Sequence, residues 1–233
     1  MKTVILAGGF GTRISEETHS RPKPLIEIGG KPILWYIMKV YAAYDITDFV
    51  ICCGYKGDLI KDYCKKLDEP WNVEAVDTGL NTMTGGRLKK VKKLVQNETF
   101  CFTYGDTLNN VNIQKLVNFH HSKKVLATVT ACHPPEKYGI LELEDDKVIK
   151  FREKPPRENE WVNGGYFVLE PAVLDYIQND STVWEKEPME KLVKEGQLSA
   201  YKHRGFYHPM DTISDRNYLE NLWKSKKALW KVW

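Results

Sequence analysis

The segment Leu6-Ala7-Gly8-Gly9-Phe10-Gly11-Thr12-Arg13 carries the chain's clearest chemical signal. It follows the apolar run Val4 to Ala7, which reads as a buried strand. Glycines directly after a strand let the backbone turn sharply and bring its N–H groups against an anion. Thr12 adds a hydroxyl, and Arg13 a planar fork suited to phosphate oxygens. Lys23 lies between Pro22 and Pro24, which stiffen its backbone and suit it to holding a point charge at a phosphate. Two other phosphate motifs are excluded. A Walker loop ends in Gly-Lys-Ser/Thr, whereas this chain has Gly11-Thr12-Arg13. A dinucleotide fingerprint needs a glycine where Ile14 stands.

Two carboxylates accompany the loop. Asp106 follows Gly105 at the end of the apolar run Phe100 to Tyr104, and ligands of open parallel sheets sit beyond the carboxyl ends of strands. Asp211 comes from the far end of the chain, between Met210 and Thr212. Mg²⁺ is held by one or two carboxylates together with substrate phosphates, but an aspartate after a strand is as readily a turn or cap residue. Arg87 stands at a predicted helix start after Gly85-Gly86, where backbone N–H groups favour anions or acceptor edges. His208 lies close in sequence to Asp211 and is expected to pack or hydrogen-bond; His120 and His121 fall on a helix face and are expected to be structural.

These residues need a scaffold, and the hydrophobic pattern supplies one. Strands are expected at Val4–Ala7, Phe49–Cys53, Val73–Val76, Phe100–Tyr104 and Leu126–Ala131. Helices are expected around Ile33 to Tyr41, Asp58 to Leu67, Leu88 to Val95, and Ile113 to His120. Such alternation implies an α/β, Rossmann-like, mostly parallel sheet flanked by helices. The second half changes texture: a hairpin from Gly139 to Phe151 turning at Asp145-Asp146, then strands at Val162–Leu169 and Leu198–His203, with helices at Trp184–Glu195 and Ser214–Trp223. No linker or repeat divides the chain. We read residues 1–233 as a single domain, with the glycine loop in a part spanning 1–131 and a β-rich part spanning 132–233.

Composition narrows the class. The 233 residues carry a net charge of +3, which gives no case for nucleic acid, and Lys89-Lys90 with Lys92-Lys93 read as solvated helix faces. No run reaches transmembrane length, and the apolar stretch after Lys2 is too short for a signal segment, so a cytoplasmic protein without a membrane partner is expected. The five cysteines include no C-x-x-C pair and read as free thiols, Cys52 and Cys53 facing opposite sides of one strand. The tail bearing Trp223, Trp230 and Trp233 is expected to be buried or covered by a partner.

Leu6 to Arg13 with Pro22-Lys23-Pro24 resembles the signature of the sugar-phosphate nucleotidyltransferases. The resemblance extends through Asp77-Thr78-Gly79, Met83 to Arg87, Tyr104-Gly105-Asp106, Glu153-Lys154-Pro155, Asn163-Gly164-Gly165 and Pro209 to Thr212, and these segments are similar to the cytidylyltransferase branch, typified by glucose-1-phosphate enzymes. It implies nucleotide contacts from Leu6, Ala7, Gly8, Gly9, Gly11, Thr12, Arg13, Lys23, Thr82, Arg87, Gly105 and Asp106, with Arg13 and Lys23 catalytic. It further implies Mg²⁺ on Asp106 and Asp211, acceptor contacts from Lys154 and Asn163, and a homo-oligomer. The implied reaction is attack of an acceptor phosphate on the α-phosphorus of CTP, with loss of pyrophosphate, in the service of capsule or surface polysaccharide synthesis. The chain departs from the glucose enzymes between Tyr63 and Pro70, where they carry an extra segment expected to help build the acceptor pocket. Glucose 1-phosphate and phosphoglutamine therefore rank closely as acceptors. A UTP- or dTTP-using transferase and a non-catalytic regulatory subunit of the same fold are the alternatives.

Overall fold

The computed structural model describes residues 1–135, 139–153 and 160–233. Its centre is a seven-stranded sheet. In spatial order the strands are Leu198–Lys202, Ala127–Cys132, Val162–Leu169, Phe100–Tyr104, Lys2–Ala7, Asp48–Cys53 and Asn72–Asp77. All run parallel except Val162–Leu169, which pairs antiparallel with both neighbours. Two strands from the second half of the chain thus complete the sheet begun by the first half.

Alternation along the strands divides the core into two layers. Ile5, Ile51, Cys53, Cys101, Tyr166 and Val168 face one side, where they meet the helix Ile33–Ala42. Val4, Val50, Cys52, Phe102, Val129 and Phe167 face the other, where they meet Leu88, Leu192 and Trp184. Period-two side chains on a sheet covered on both faces produce this division. The five cysteines are free thiols, with Cys52 and Cys53 on opposite faces as expected. Trp230 is buried, and Trp223, Trp230 and Trp233 pack edge-on or tilted against Tyr36, so the tail packs on its own chain. Among the described residues no helix is long and apolar enough to cross a membrane.

Most element ends shift from the sequence reading by a residue or two, and larger departures occur in two helical segments and in the glycine loop. The helix expected at Trp184–Glu195 runs only over Glu187–Lys194. Pro188 sits in its first turn, a preferred position for proline, and Trp184 lies ahead of the helix in the core. The face formed by Leu88, Val91 and Val95 belongs to two short helices, Thr84–Lys90 and Lys92–Val95, joined at Val91, although all three residues are buried. The glycine loop contains a four-residue helix, Ser15–Thr18, before Lys23. The 139–151 hairpin forms as expected, from strands Ile140–Glu144 and Lys147–Arg152.

Candidate active site

One cavity of about 700 Å³ opens at the carboxyl ends of the central strands. Leu6 to Arg13 forms one wall, with Lys23 beside it. Leu80 to Thr84 and Arg87 form the second wall. Tyr104 to Thr107, Asn163, Glu185, Tyr207, Pro209 and Asp211 close the remainder. Every expected site residue within the described chain lines this cavity. Lys154 lies outside the described residues.

The loop's shape follows from its glycines. Gly11 has φ of +66°, a left-handed conformation that glycine adopts without steric cost, and a Cβ there would lie 2.7 Å from the Thr18 side chain. Its carbonyl accepts from Ile14 N and from the Thr18 hydroxyl. Among the described residues, the amides of Gly9, Phe10 and Gly11 donate to no protein acceptor, which leaves them for an anion.

Arg87 supports this loop from below. It is 5% exposed, and its guanidinium donates to the carbonyls of Gly8, Cys53, Gly79 and Leu80 and to the Thr78 hydroxyl, at 2.8–3.1 Å. Burial works against its charge; five oxygens around one fork-shaped cation offset that desolvation. Gly8 and Gly54 make room for it, because a Cβ at either position would fall within 2.5 Å of the guanidinium. The sequence reading gave Arg87 an anion or an acceptor edge to bind. The structure shows it joining three chain segments beneath the cavity. Thr82 is buried, its hydroxyl accepting from Lys90, which also pairs with Asp180.

The charged centre is compact. Lys23 Nζ lies 2.6 Å from Asp106 Oδ2 and 3.0 Å from Asp211 Oδ1, and Arg13 reaches Asp211 Oδ2 at 2.8 Å. Burial alone would depress the Lys23 ammonium, but attraction to Asp106 and then Asp211 outweighs it and holds its pKa above the ordinary lysine value. What brings the two aspartates together is a ribbon invisible to periodicity: Thr107–Asn109 pairs antiparallel with Tyr207–Pro209, and Met210 N donates to the carbonyl of Asp106. Asp215 holds the other side of this turn, accepting from Asp211 N and Thr212 N and closing a capping box on the helix Ile213–Lys224. His208 contacts Asp215 and packs at a tilt against Tyr218, as a packing residue should. His120 is buried between Thr128 and Glu170.

The pair Asp106 and Asp211 suits a divalent cation. Both are hard oxygen donors, and a cationic nitrogen already bridges them. No group of three or more His, Cys, Asp or Glu side chains placed to hold a metal occurs among the described residues, so phosphate oxygens would have to complete the shell.

A glycine loop with free amides, a lysine and an arginine, and two aspartates at the carboxyl edge of a parallel sheet define a phosphate-handling transferase site. Residues 2–227 match the model of the nucleotidyl transferase family, and the chain belongs to that family, as an enzyme. It is 49% identical to glucose-1-phosphate cytidylyltransferase of Salmonella typhi and 40% identical to a probable glucose-1-phosphate cytidylyltransferase of Bacillus subtilis, in each case over the whole of both chains. The resemblance to the cytidylyltransferase branch is thus borne out. The alignment with the Salmonella protein runs over 256 positions for a chain of 233 residues, so that relative carries sequence without counterpart here. The fold is that of HddC from Yersinia pseudotuberculosis, at a TM-score of 0.74, 22% identity, and coverage of 95% of this chain and 99% of that one.

Proposed function

We propose that the protein transfers CMP from CTP to glucose 1-phosphate and releases pyrophosphate. The observation that carries this reading is the single cavity joining the glycine loop, the Lys23–Asp106–Asp211 cluster and Asn163. The names of the Salmonella relatives, at 49% identity, support CTP and glucose 1-phosphate. The shortened stretch between Tyr63 and Pro70 leads into the start of the strand Asn72–Asp77, whose carboxyl end leads to the cavity wall, and none of its residues lines the cavity. That arrangement, with the names of the relatives, favours placing glucose 1-phosphate ahead of phosphoglutamine, which the sequence alone ranks beside it.

The reaction needs no protein nucleophile. A phosphate monoester has its second pKa near ~6 and is already ionised at neutral pH. The obstacle is repulsion between two anions, so the protein's part is positioning and neutralisation. The loop amides and Arg13 receive the β- and γ-phosphates. Lys23 leaves the aspartates to meet charge developing on the α-phosphate. Asp106 and Asp211 are the residues that would hold Mg²⁺, which supplies neutralisation of phosphate charge when bound. Lys154 and Asn163 take the acceptor.

The test is pyrophosphate release with Mg²⁺ across CTP, UTP, dTTP and ATP, each paired with glucose 1-phosphate and L-glutamine phosphate. Turnover with CTP and glucose 1-phosphate is expected. Turnover only with another nucleotide would reassign the base, and turnover only with L-glutamine phosphate the acceptor. CTP binding without turnover by any pair would mark a non-catalytic subunit.

A further inference from the structure

Glu185 lines the cavity, yet neither motif nor resemblance singles it out. Its two carboxylate oxygens are engaged separately. Oε1 accepts from the Tyr104 hydroxyl at 2.6 Å, and Oε2 accepts from the Thr84 hydroxyl at 2.6 Å. Thr84 in turn accepts from Trp184 N. Trp184, fully buried against Phe102 and Phe167, anchors this turn.

The chain of bonds continues to Asn163. With its proton directed at Glu185, the Tyr104 oxygen accepts from Asn163 Nδ2 at 3.0 Å, and Asn163 Oδ1 accepts from Gly165 N at 2.8 Å. A flipped amide would set its NH₂ against the Gly165 N–H, so the network dictates the orientation. The backbone favours it too. Asn163 sits where the register with Ala127–Cys132 shifts, and Gly165, at φ +75°, passes so close to the Tyr104 ring that a Cβ would lie 2.8 Å away. Such irregularities re-aim a side chain. The result is an exposed amide with its orientation fixed, one lone pair of its oxygen engaged and one N–H left for the cavity.

We propose that Glu185, acting through Tyr104, is a positioning residue for the acceptor, fixing Asn163 so that it donates to a hydroxyl oxygen of a sugar phosphate. This rests on the reading of Asn163 as an acceptor contact. With Oδ1 held by Gly165 N and Nδ2 by the Tyr104 oxygen, the remaining Nδ2 N–H of Asn163 has a fixed direction.

The experiment is steady-state kinetics on the full chain with CTP and glucose 1-phosphate, for wild type, Glu185→Ala, Glu185→Gln and Tyr104→Phe, with melting temperatures alongside. Loss of one net hydrogen bond predicts a KM for glucose 1-phosphate raised about five- to tenfold in Glu185→Ala and Tyr104→Phe. KM for CTP and kcat should stay within about twofold. Glu185→Gln, which keeps an acceptor oxygen, should recover part of the loss. One deoxy analogue of glucose 1-phosphate, lacking the hydroxyl that Asn163 contacts, should show the same KM with wild type and variants. Tyr104→Phe keeps the test open if Glu185→Ala does not fold. Unchanged acceptor KM in the folded variants, or equal rises in both KM values, would overturn this inference and leave the proposed reaction standing. Wild-type enzyme that turns over no CTP–acceptor pair would remove both.

Discussion

Replacing Lys23 by alanine tests the charged centre most directly, because stability and rate should both respond. Lys23 is nine-tenths buried and bridges two carboxylates at 2.6 and 3.0 Å. At an effective dielectric of ~20, the contacts represent roughly 5.5–6.5 kcal/mol of attraction each, much of it offset by desolvation of the ammonium. Removing the cation leaves Asp106 without a cationic partner among the described residues, while Asp211 keeps Arg13. The carboxylates are 27% and 18% exposed, so water recovers part of the loss. A net cost of about 2–3 kcal/mol follows, short of the ~3–5 for breaking a fully buried pair. For a domain of this size that is a fall in melting temperature of roughly 4–12 °C. Calorimetry should show three features: the fall itself, a smaller fall in millimolar Mg²⁺, and partial recovery when Asp106→Asn is added. Turnover should drop on the order of 10²-fold or more. If the two substitutions destabilised additively, or Mg²⁺ gave no more protection to the variant than to wild type, the picture of one cation site shared by lysine and metal would be wrong. The pH dependence has a definite sign. Because the folded pKa of Lys23 lies above its ordinary 10.5, its contribution is complete below that pH and is lost as pH rises through the folded value.

Further expectations can be checked together. Arg87→Ala removes a donor from four carbonyls and a hydroxyl, of which Gly8 O keeps Tyr55 N and Cys53 O keeps Thr78, and should cost about 3 kcal/mol and weaken CTP binding, measurable by calorimetric titration. Trp184→Ala removes a fully buried indole and should cost about 3–5 kcal/mol in denaturant unfolding, with a raised KM for the acceptor because Glu185 loses its anchor. Asp215→Ala removes a capping box that also holds the Asp211 amide; a loss of about 1–2 kcal/mol and weaker Mn²⁺ binding by spin resonance are expected. Burial holds His120 and His203 below the ordinary histidine value of 6.5, so both fold neutral. Stability should therefore be complete above pH 6.5 and decline as pH falls through their folded values, with a shallower decline in His120→Gln.

The loop, Lys23 and Asp106 were legible because each belongs to a short local pattern: glycines after a strand, a lysine between prolines, an aspartate at a strand's end. The five inner strands were legible because buried strands read as apolar runs, and the two edge strands, Asn72–Asp77 and Leu198–Lys202, because polar and apolar residues mix in short strand-length segments. The meeting of Asp106 with Asp211 was not derivable in this way, since the ribbon that joins them has three residues a side and no room for alternation. Glu185 was hidden for a different reason. It sits in an acidic and basic stretch, Glu185-Lys186-Glu187, that reads as the solvated face of a helix, and the true start of that helix is fixed by Pro188 rather than by the tryptophan before it. The bonds that Arg87 makes beneath the cavity were not legible because its five partners are mostly backbone carbonyls, and carbonyl positions are a property of the fold that residue types do not record.

The same arginine bears on how tightly the nucleotide can be held. Fixing one residue of a flexible loop costs roughly 1–2 kcal/mol of backbone entropy, and a glycine loses more than most. A loop that became ordered only around its ligand would subtract that amount from affinity for each residue fixed. Here Gly8 and the Gly79–Leu80 turn are fastened to a buried guanidinium before any phosphate arrives. The entropy of that part of the cradle is lost during folding, so the triphosphate meets walls already in place.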